Sequence, residues 1–426
     1  MTSDGLREPL TRIVSLTPSR IDRDTRTFKE AASFARHGME SVVVEGVASG
    51  VEPERLPFQL HGTGSSIQAE APAGARVVGA RTSVRGAWRK LPRRLTDGVE
   101  RTLRTPLTIY GYLAAARATA DSLPAAELYW LHGYHQFPTA WLAARRRRAP
   151  LLYDAHDFYP EVIEGGDGTR IDRAVMRWFY LAIERRCVHS AAEVVTVSDG
   201  VADLIARRTG RRPVVVRNCA EVRGMAVDGP DVRTAAGVAP DDFLVVMPGN
   251  HKTGMRAVDE AVEAFATLPA RAHLAFVGDG YQATAEEVER RGLGDRIHLL
   301  PAVAGADVPA FIRTADAVAV LYVPIMSAIE FALPNGFFSA IAAGLPLLWP
   351  RNLPEIRRLA QEHDLGVPIE PLEPASIAAA VHDLLEHPDR VAALRANVER
   401  ARDVLNWEVE ERGLLDIVAR LTNGRG

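Results

Sequence analysis

The sequence predicts an α/β protein made of two successive parallel-sheet domains. Three observations carry that expectation. Short apolar runs alternate with helical stretches from residue 12 onward, the pattern of βαβ units with helices on the sheet faces. The alternation starts afresh at Phe243, after a polar, Gly- and Pro-bearing stretch at 221–242 that reads as a linker. Finally, 426 residues are too many for one ordinary core.

Composition narrows the function classes. With 47% hydrophobic residues, 25% charged residues and a formal net charge of -3, the chain is globular and has no overall positive field for nucleic acid. Only Lys29, Lys90 and Lys252 are lysines among 51 basic residues, a bias expected of a GC-rich bacterial genome. Cys187 and Cys219 form neither a disulfide framework nor a metal-ligand spacing. The first residues lack a charged-then-apolar signal pattern and no apolar run reaches transmembrane length, so a soluble cytoplasmic protein is expected.

In chain order, 12–16 reads as the first strand and 27–37 as a helix stopped by Gly38 in the C′ position; 41–44 is the second strand. The loop after the first strand falls at the sheet's carboxyl edge, where α/β proteins bind ligands. Its Arg20, Asp22, Arg23, Asp24 and Arg26 are candidate substrate contacts, against the plainer reading of a solvated loop. Between 51 and 122 the pattern weakens. Within it, 81–104 carries Arg81, Arg85, Arg89, Lys90, Arg93, Arg94, Arg101 and Arg104, with Trp88 and Leu91 interleaved. Three readings of that segment stay open: contact with an anionic membrane surface, a grip on an anionic substrate, or an exposed basic face.

Strands at 127–131 and 151–153 each deliver histidines just past their ends: His132 and His135 after the first, His156 beside Asp154 and Asp157 after the second. Imidazoles there can hydrogen-bond a phosphate or hydroxyl, or carry a proton near neutral pH. A strand at 194–197, a helix to Arg208 and a strand at 213–216 complete the first series.

The second series has strands at 243–247, 273–277, 297–300, 317–321 and 347–349, helices at 257–265 and 308–314, and a helical tail interrupted near Asn406. After its first strand, Gly249 and Gly254 allow close backbone approach, while Lys252 and Arg256 add positive charge. That is a phosphate-site composition without Walker spacing, and Gly278-Asp279-Gly280 marks a tight turn. The stretch 327–350 passes through Leu333-Pro334-Asn335-Gly336 into an apolar helix. A helix start leaves backbone N–H groups without intrahelical partners at the positive end of a dipole, which suits a phosphate.

Several motifs, in order along the chain, resemble the GT-B glycosyltransferases and within them the retaining glycosyltransferase family 4. They are Asp24-x-Arg26-x-Phe28-Lys29-Glu30-Ala31, Tyr153-Asp154-Ala155-His156-Asp157-x-Tyr159-Pro160-Glu161, Thr196-Val197-Ser198, Val216-Arg217-Asn218, Arg256 with its helix, and Leu333-Pro334-Asn335 through Ala343-Gly344-Leu345-Pro346. The resemblance implies two Rossmann-like domains facing each other across a cleft: residues 1–220 binding the acceptor, a linker at 221–242, residues 243–405 binding a nucleotide sugar, and a helix at 406–426 returning to the first domain.

The implied catalytic residues are His135 beside the donor sugar, with His132 the runner-up, and Arg256 and Lys252 on the diphosphate. The implied donor contacts are Gly249, Asn250, Gly278, Asp279, Glu330, Pro334, Asn335, Gly336, Phe337 and Ser339. The implied acceptor contacts are Arg20, Asp24, His132, His156 and Asp157. No metal and no cofactor are implied, the nucleotide sugar being a co-substrate. The chain departs from the family at the donor motif, where two glutamates eight positions apart are replaced by Phe331 (with Glu330 alongside) and Ser339, and Gly336 stands where related sequences carry lysine.

The expected function is transfer of a sugar from a UDP- or GDP-type donor, with retention, to an O, N or S nucleophile. A small molecule of a specialised pathway is favoured over a cell-surface glycan, and a non-catalytic sugar-nucleotide-binding protein is the contrasting reading. A homodimer and peripheral membrane contact through 81–104 stay open as partners.

Overall fold

The computed structural model describes residues 11–61, 109–156, 170–226, 228–251 and 253–423. The chain divides into two compact units, one comprising Met1–Thr196, Ile205–Val214 and Leu415–Gly426, the other Val197–Leu204 and Val215–Leu414. The basic segment 81–104, Lys252 and Asp157 lie outside the described residues.

Among the described residues, the first unit's sheet has seven strands in the order β3-β2-β1-β4-β5-β6-β7. They are β1 (Arg12–Thr17), β2 (Glu40–Glu45), β3 (Gln59–His61), β4 (Leu128–His132), β5 (Leu151–Ala155), β6 (Glu193–Thr196) and β7 (Val214–Val215). The pairings of β1 with β2 and β4, and of β4 with β5, are parallel. β4 and β5 are buried along their whole length, as expected of central strands covered on both faces. Helices α1 (Thr25–Arg36), α2 (Phe137–Arg147), α3 (Arg170–Ser190) and α4 (Asp199–Thr209) accompany the sheet. Helix α1 begins at Thr25 because Asp24 caps it, accepting a hydrogen bond from the Thr27 N–H at 3.0 Å.

The second unit's six-stranded sheet runs β10-β9-β8-β11-β12-β13. Its strands are β8 (Phe243–Pro248), β9 (Ala272–Val277), β10 (Ile297–Leu300), β11 (Ala317–Ala319), β12 (Leu347–Pro350) and β13 (Gly366–Ile369). Helices α5 (Val258–Thr267), α6 (Gln282–Arg290), α7 (Asn335–Ala342), α8 (Pro354–Glu362), α9 (Pro374–Glu386), α10 (Pro388–Arg402) and α11 (Trp407–Asn423) follow in chain order.

The apolar run of β8 is explained by burial on two sides. Val245 and Met247 join Leu274, Phe276 and Phe265 in one core, while Leu244 and Val246 join Val277, Phe337 and Ile341 in another. Within 221–242, Val232–Ala236 forms a short helix capped by Asp231, and Val232 is buried in the second of those cores. The tail breaks where sequence rhythm placed the break: the Asn406 side chain donates to the Arg402 carbonyl at 2.7 Å and accepts from the Val409 N–H at 2.8 Å, ending α10 and starting α11.

Elements missing from the sequence reading are β3, α3, α6, α8 and β13. β13 contains Pro368, which lowers its strand signal, yet it is an edge strand where a missing N–H is tolerated. In both sheets the order reverses beside the first strand of the series, between β1 and β4 and between β8 and β11. Loops leaving such a switch point open the crevice that α/β proteins use for ligands.

Candidate active site

In the first unit the site begins with register. His132 and Asp154, the last residue of β4 and the penultimate one of β5, are direct partners across the strands. Helix α1 lies over them. Its Phe34 packs on Trp130 at 5.2 Å, and one turn earlier Glu30 Oε2 lies 3.6 Å from His132 Nε2. A spacing of four on the helix thus matches a spacing of two on the strand.

Asp154 is the hub of a buried charge network. Arg26 grips it with both prongs, Nε to Oδ2 at 2.7 Å and Nη2 to Oδ1 at 3.0 Å. The Nδ1 atoms of His132 and His156 each lie 3.1 Å from the same Oδ2. Burial alone would raise the Asp154 pKa, but Arg26 and the two imidazoles outweigh it and hold the group well below the usual carboxylate range. Glu30 behaves oppositely. Burial raises it, Arg26 opposes only in part and the Asp154 charge adds to the rise, so it is pushed up to about 7.

The ligand atoms of His132, Asp154 and His156 lie within 4.8 Å of one another, a spacing compatible with a metal ion. The Arg26 fork already provides the positive partner of Asp154, and a second cation would face that guanidinium. The cluster fits an internal ion network better than a metal centre.

The other first-unit candidates divide between inward and outward roles. Arg26 and His132 are buried, so both act inside the protein. Asp24 accepts hydrogen bonds from the Thr17 and Thr27 hydroxyls at 2.6 and 2.7 Å, which makes it a helix cap. Arg20 is taken up by Asp22 and by the Ser49 carbonyl, closing its loop. His156, at the carboxyl edge of β5, is half-buried. His135 is half-buried too, in the single turn Tyr134–Gln136 after β4, its ring stacked on Tyr134 at 4.5 Å. Sequence reasoning missed Glu30 as a chemical group; the available signal was a charged pair spaced i,i+4, Arg26 and Glu30, on a helix whose buried face holds Ala31 and Phe34.

In the second unit three loops converge. Gly249 turns the chain out of β8 at φ 106°, and its N–H donates to the Val277 carbonyl at 2.9 Å. The Asn250 side chain accepts from the Asp279 N–H at 2.9 Å, while the His251 N–H donates to the Asp279 carbonyl at 2.8 Å. Gly278 is required by proximity: a Cβ there would sit 2.7 Å from the Gly249 carbonyl carbon and oxygen. The start of α7 meets the same place, since a Cβ on Gly336 would lie 3.5 Å from Pro248 Cγ.

Arg256 is 4% exposed and holds this arrangement from behind. Its guanidinium donates to the carbonyls of Pro248, Gly249 and Asn250 at 3.0, 2.7 and 3.3 Å, and to the Tyr281 hydroxyl at 2.8 Å. Tyr281 in turn donates to the Gly249 carbonyl at 2.7 Å. The charge therefore reaches the loop through its backbone.

At α7, Pro334 is the N-cap, Asn335 accepts from the Asn218 side chain at 2.9 Å, and Phe337 and Ser339 are buried. Glu330 is half-buried in the short helix Ser327–Glu330. Phe331 has a packing role: a Cβ on Gly200 would come within 2.4 Å of its ring, and its carbonyl accepts from the Ser198 hydroxyl at 2.8 Å.

Two consecutive Rossmann-like parallel-sheet units, each gathering its candidate residues at strand carboxyl ends, define a two-domain protein of the GT-B fold. Residues 25–219 match the glycosyl transferase 4-like domain, and residues 242–387 match the glycosyl transferases group 1 domain. The chain belongs to glycosyltransferase family 4, a family of sugar-transferring enzymes. It is 25% identical over 308 residues to D-inositol 3-phosphate glycosyltransferase of Rhodococcus opacus, a match covering 68% of this chain and 65% of that relative.

Among solved structures it is similar to Anabaena Alr3699/HepE in complex with UDP, with a TM-score of 0.67, 15% identity, and coverage of 96% of this chain and 100% of that one. It is also similar to sucrose-phosphate synthase from Thermosynechococcus elongatus, with a TM-score of 0.63, 14% identity, and coverage of 97% and 100%. Among the described residues no helix is long and apolar enough to cross a membrane.

Proposed function

We propose that the protein transfers a sugar from a UDP- or GDP-type donor to an O, N or S nucleophile with retention of configuration. The observation that carries this reading is the convergence of the β8 loop, the β9 loop and the start of α7, braced by Arg256. Close-set backbone and a helix's positive end suit a diphosphate. UDP in the complex of the similar Anabaena protein supports a nucleotide as ligand of this fold.

In the proposed reaction the nucleophile's lone pair forms a bond to the anomeric carbon as the bond to the diphosphate oxygen breaks. The diphosphate leaves with that electron pair and takes the nucleophile's proton, so no dedicated base is needed. Positive charge from Arg256 and Lys252 favours departure, without a metal or other cofactor. His135 meets the sugar, and His156 orients the incoming nucleophile. The first unit serves the acceptor and the second the donor.

A small-molecule acceptor of a specialised natural-product pathway, such as that of an antibiotic, is favoured over a cell-surface polysaccharide. The basis is the unusual donor motif, since tailoring enzymes use unusual sugars. We infer a cytoplasmic location and no nucleic-acid partner, the latter supported by the formal net charge of -3. Calorimetric titration with UDP, GDP and dTDP tests the donor reading: saturable binding of one supports it, and heat of dilution alone with all three contradicts it. One observation favours a non-catalytic nucleotide-sugar-binding protein instead, namely Phe331 and Ser339 at the two glutamate positions. Binding without turnover would select it.

A further inference from the structure

Three peptide groups of the loop after β8 turn their carbonyls onto one buried guanidinium. Arg256 Nη2 takes that of Pro248, and Nη1 takes those of Gly249 and Asn250. The hydroxyl of Tyr281, the N-cap residue of α6, closes a triangle with two of these atoms. It accepts from Nη1 at 2.8 Å and donates to the Gly249 carbonyl at 2.7 Å, while Nη1 itself reaches that carbonyl at 2.7 Å. Two donors fill both lone pairs of the Gly249 oxygen and so fix the plane of the Gly249–Asn250 peptide.

Tyr281 is suited to that place. Burial raises the phenol's pKa against the lowering effect of Arg256, so it stays a hydroxyl that accepts and donates at once. Its ring is held by Phe276 at 4.9 Å and His251 at 5.4 Å, and the Arg256 guanidinium carbon lies 5.5 Å from the ring centre of Tyr322.

A trans peptide sends its N–H opposite to its C=O, and none of these three peptides is cis. Their N–H groups therefore point away from Arg256. Two are already taken: that of Gly249 by the Val277 carbonyl at 2.9 Å, and that of His251 by the Asp279 carbonyl at 2.8 Å. The third, on exposed Asn250, has no hydrogen-bond partner among the described residues.

We propose that Tyr281 is a positioning residue for sugar transfer: with Arg256 it locks the Gly249–Asn250 peptide so that the Asn250 N–H is presented to an oxygen of the donor's diphosphate. The lock is a property of the second unit alone, whereas the contact with a diphosphate rests on the sugar-transfer reading.

The test compares the full-length wild type with Tyr281→Phe, which removes the hydroxyl and keeps the ring. Without ligand, rotation about the Arg256 Cζ–Nη1 bond is followed by NMR exchange of the Nη1 protons. It is expected to be roughly fivefold or more faster in the variant, as loss of one hydrogen bond allows. With UDP and GDP as probes, the Asn250 amide proton is expected to move downfield on binding of one of them. The dissociation constant should rise about tenfold in the variant. In turnover, KM for the donor should rise by a similar factor with kcat within about threefold, since the diphosphate is charged before transfer as well as after it.

An unchanged rotation rate, an unmoved Asn250 amide in nucleotide-saturated wild type, or an unchanged dissociation constant beside a lowered unfolding temperature overturns the proposal. If the variant does not fold, the Asn250 amide of the wild type decides alone. Should the wild type bind neither nucleotide, the donor reading fails and the diphosphate contact with it, while the rotation rate still decides whether Tyr281 locks the loop.

Discussion

Arg26 and Asp154 lie 128 positions apart in sequence and form a two-pronged guanidinium–carboxylate pair at 2.7 and 3.0 Å, both side chains buried. The pair fixes the start of α1 to the end of β5, and with it the place of His132 and His156.

Removing one partner strands a buried charge. Arg26→Met is expected to lower unfolding stability by about 3–5 kcal/mol in urea titrations. Arg20→Ala, whose ion pair with Asp22 is solvent-exposed, should cost far less. Equal losses in the two variants would contradict the difference in burial.

Stability should depend on pH through Glu30. Its pKa rises from an ordinary 4.5 to about 7 on folding, so the folded state holds more protons between those values. Stability from this group is complete below pH 4.5 and is lost as pH rises through about 7. Asp154 has the opposite sign: its depressed pKa contributes stability above the ordinary 3.8, lost as pH falls below it. Glu30→Gln should therefore flatten the urea midpoint between pH 5 and 8, an effect on the order of a few kcal/mol. An unchanged slope would show that Glu30 ionises normally in the fold.

Gly278→Ala should disturb the second unit's site. Its Cβ would press within 2.7 Å of the Gly249 backbone, which Arg256 and Tyr281 hold in place. Nucleotide affinity is expected to fall about tenfold or more, with a stability loss of about 1–3 kcal/mol. Gly336→Ala, whose added atom would meet Pro248 at an ordinary 3.5 Å, should be far milder. Calorimetry with nucleotide, beside thermal unfolding, separates the two.

These residues show how far the sequence could be read. The central strands were legible because β1, β4, β5, β8 and β9 are apolar runs with no competing period. β13 was not, because Pro368 masks an edge strand. Gly278 was visible as a turn glycine, but its close contact with Gly249 joins two distant loops and leaves no local mark. Arg26 and Glu30 look like any solvated i,i+4 pair, since sequence shows spacing and not which face is buried. Arg256 stands out in the sequence by its place after β8, but its engagement with three loop carbonyls leaves no mark there.

The altered donor motif carries its own expectation. If Glu330 supplies the carboxylate that the family's second glutamate would give, Glu330→Gln should weaken nucleotide-sugar affinity about tenfold, as loss of a hydrogen bond to a charged group does. Ser339→Ala should leave it within about twofold. The reverse order in a fluorescence or calorimetric titration would assign the contact to Ser339.

The most direct test is nucleotide release from a panel of UDP-, GDP- and dTDP-sugars, with the full-length protein and a panel of small hydroxyl, amine and thiol acceptors. The expected result is protein-dependent release of one nucleotide, coupled to a glycosylated product with the donor's anomeric configuration. No release from any donor, in a protein that still binds nucleotide, would contradict catalysis and leave a binding protein on a glycosyltransferase fold.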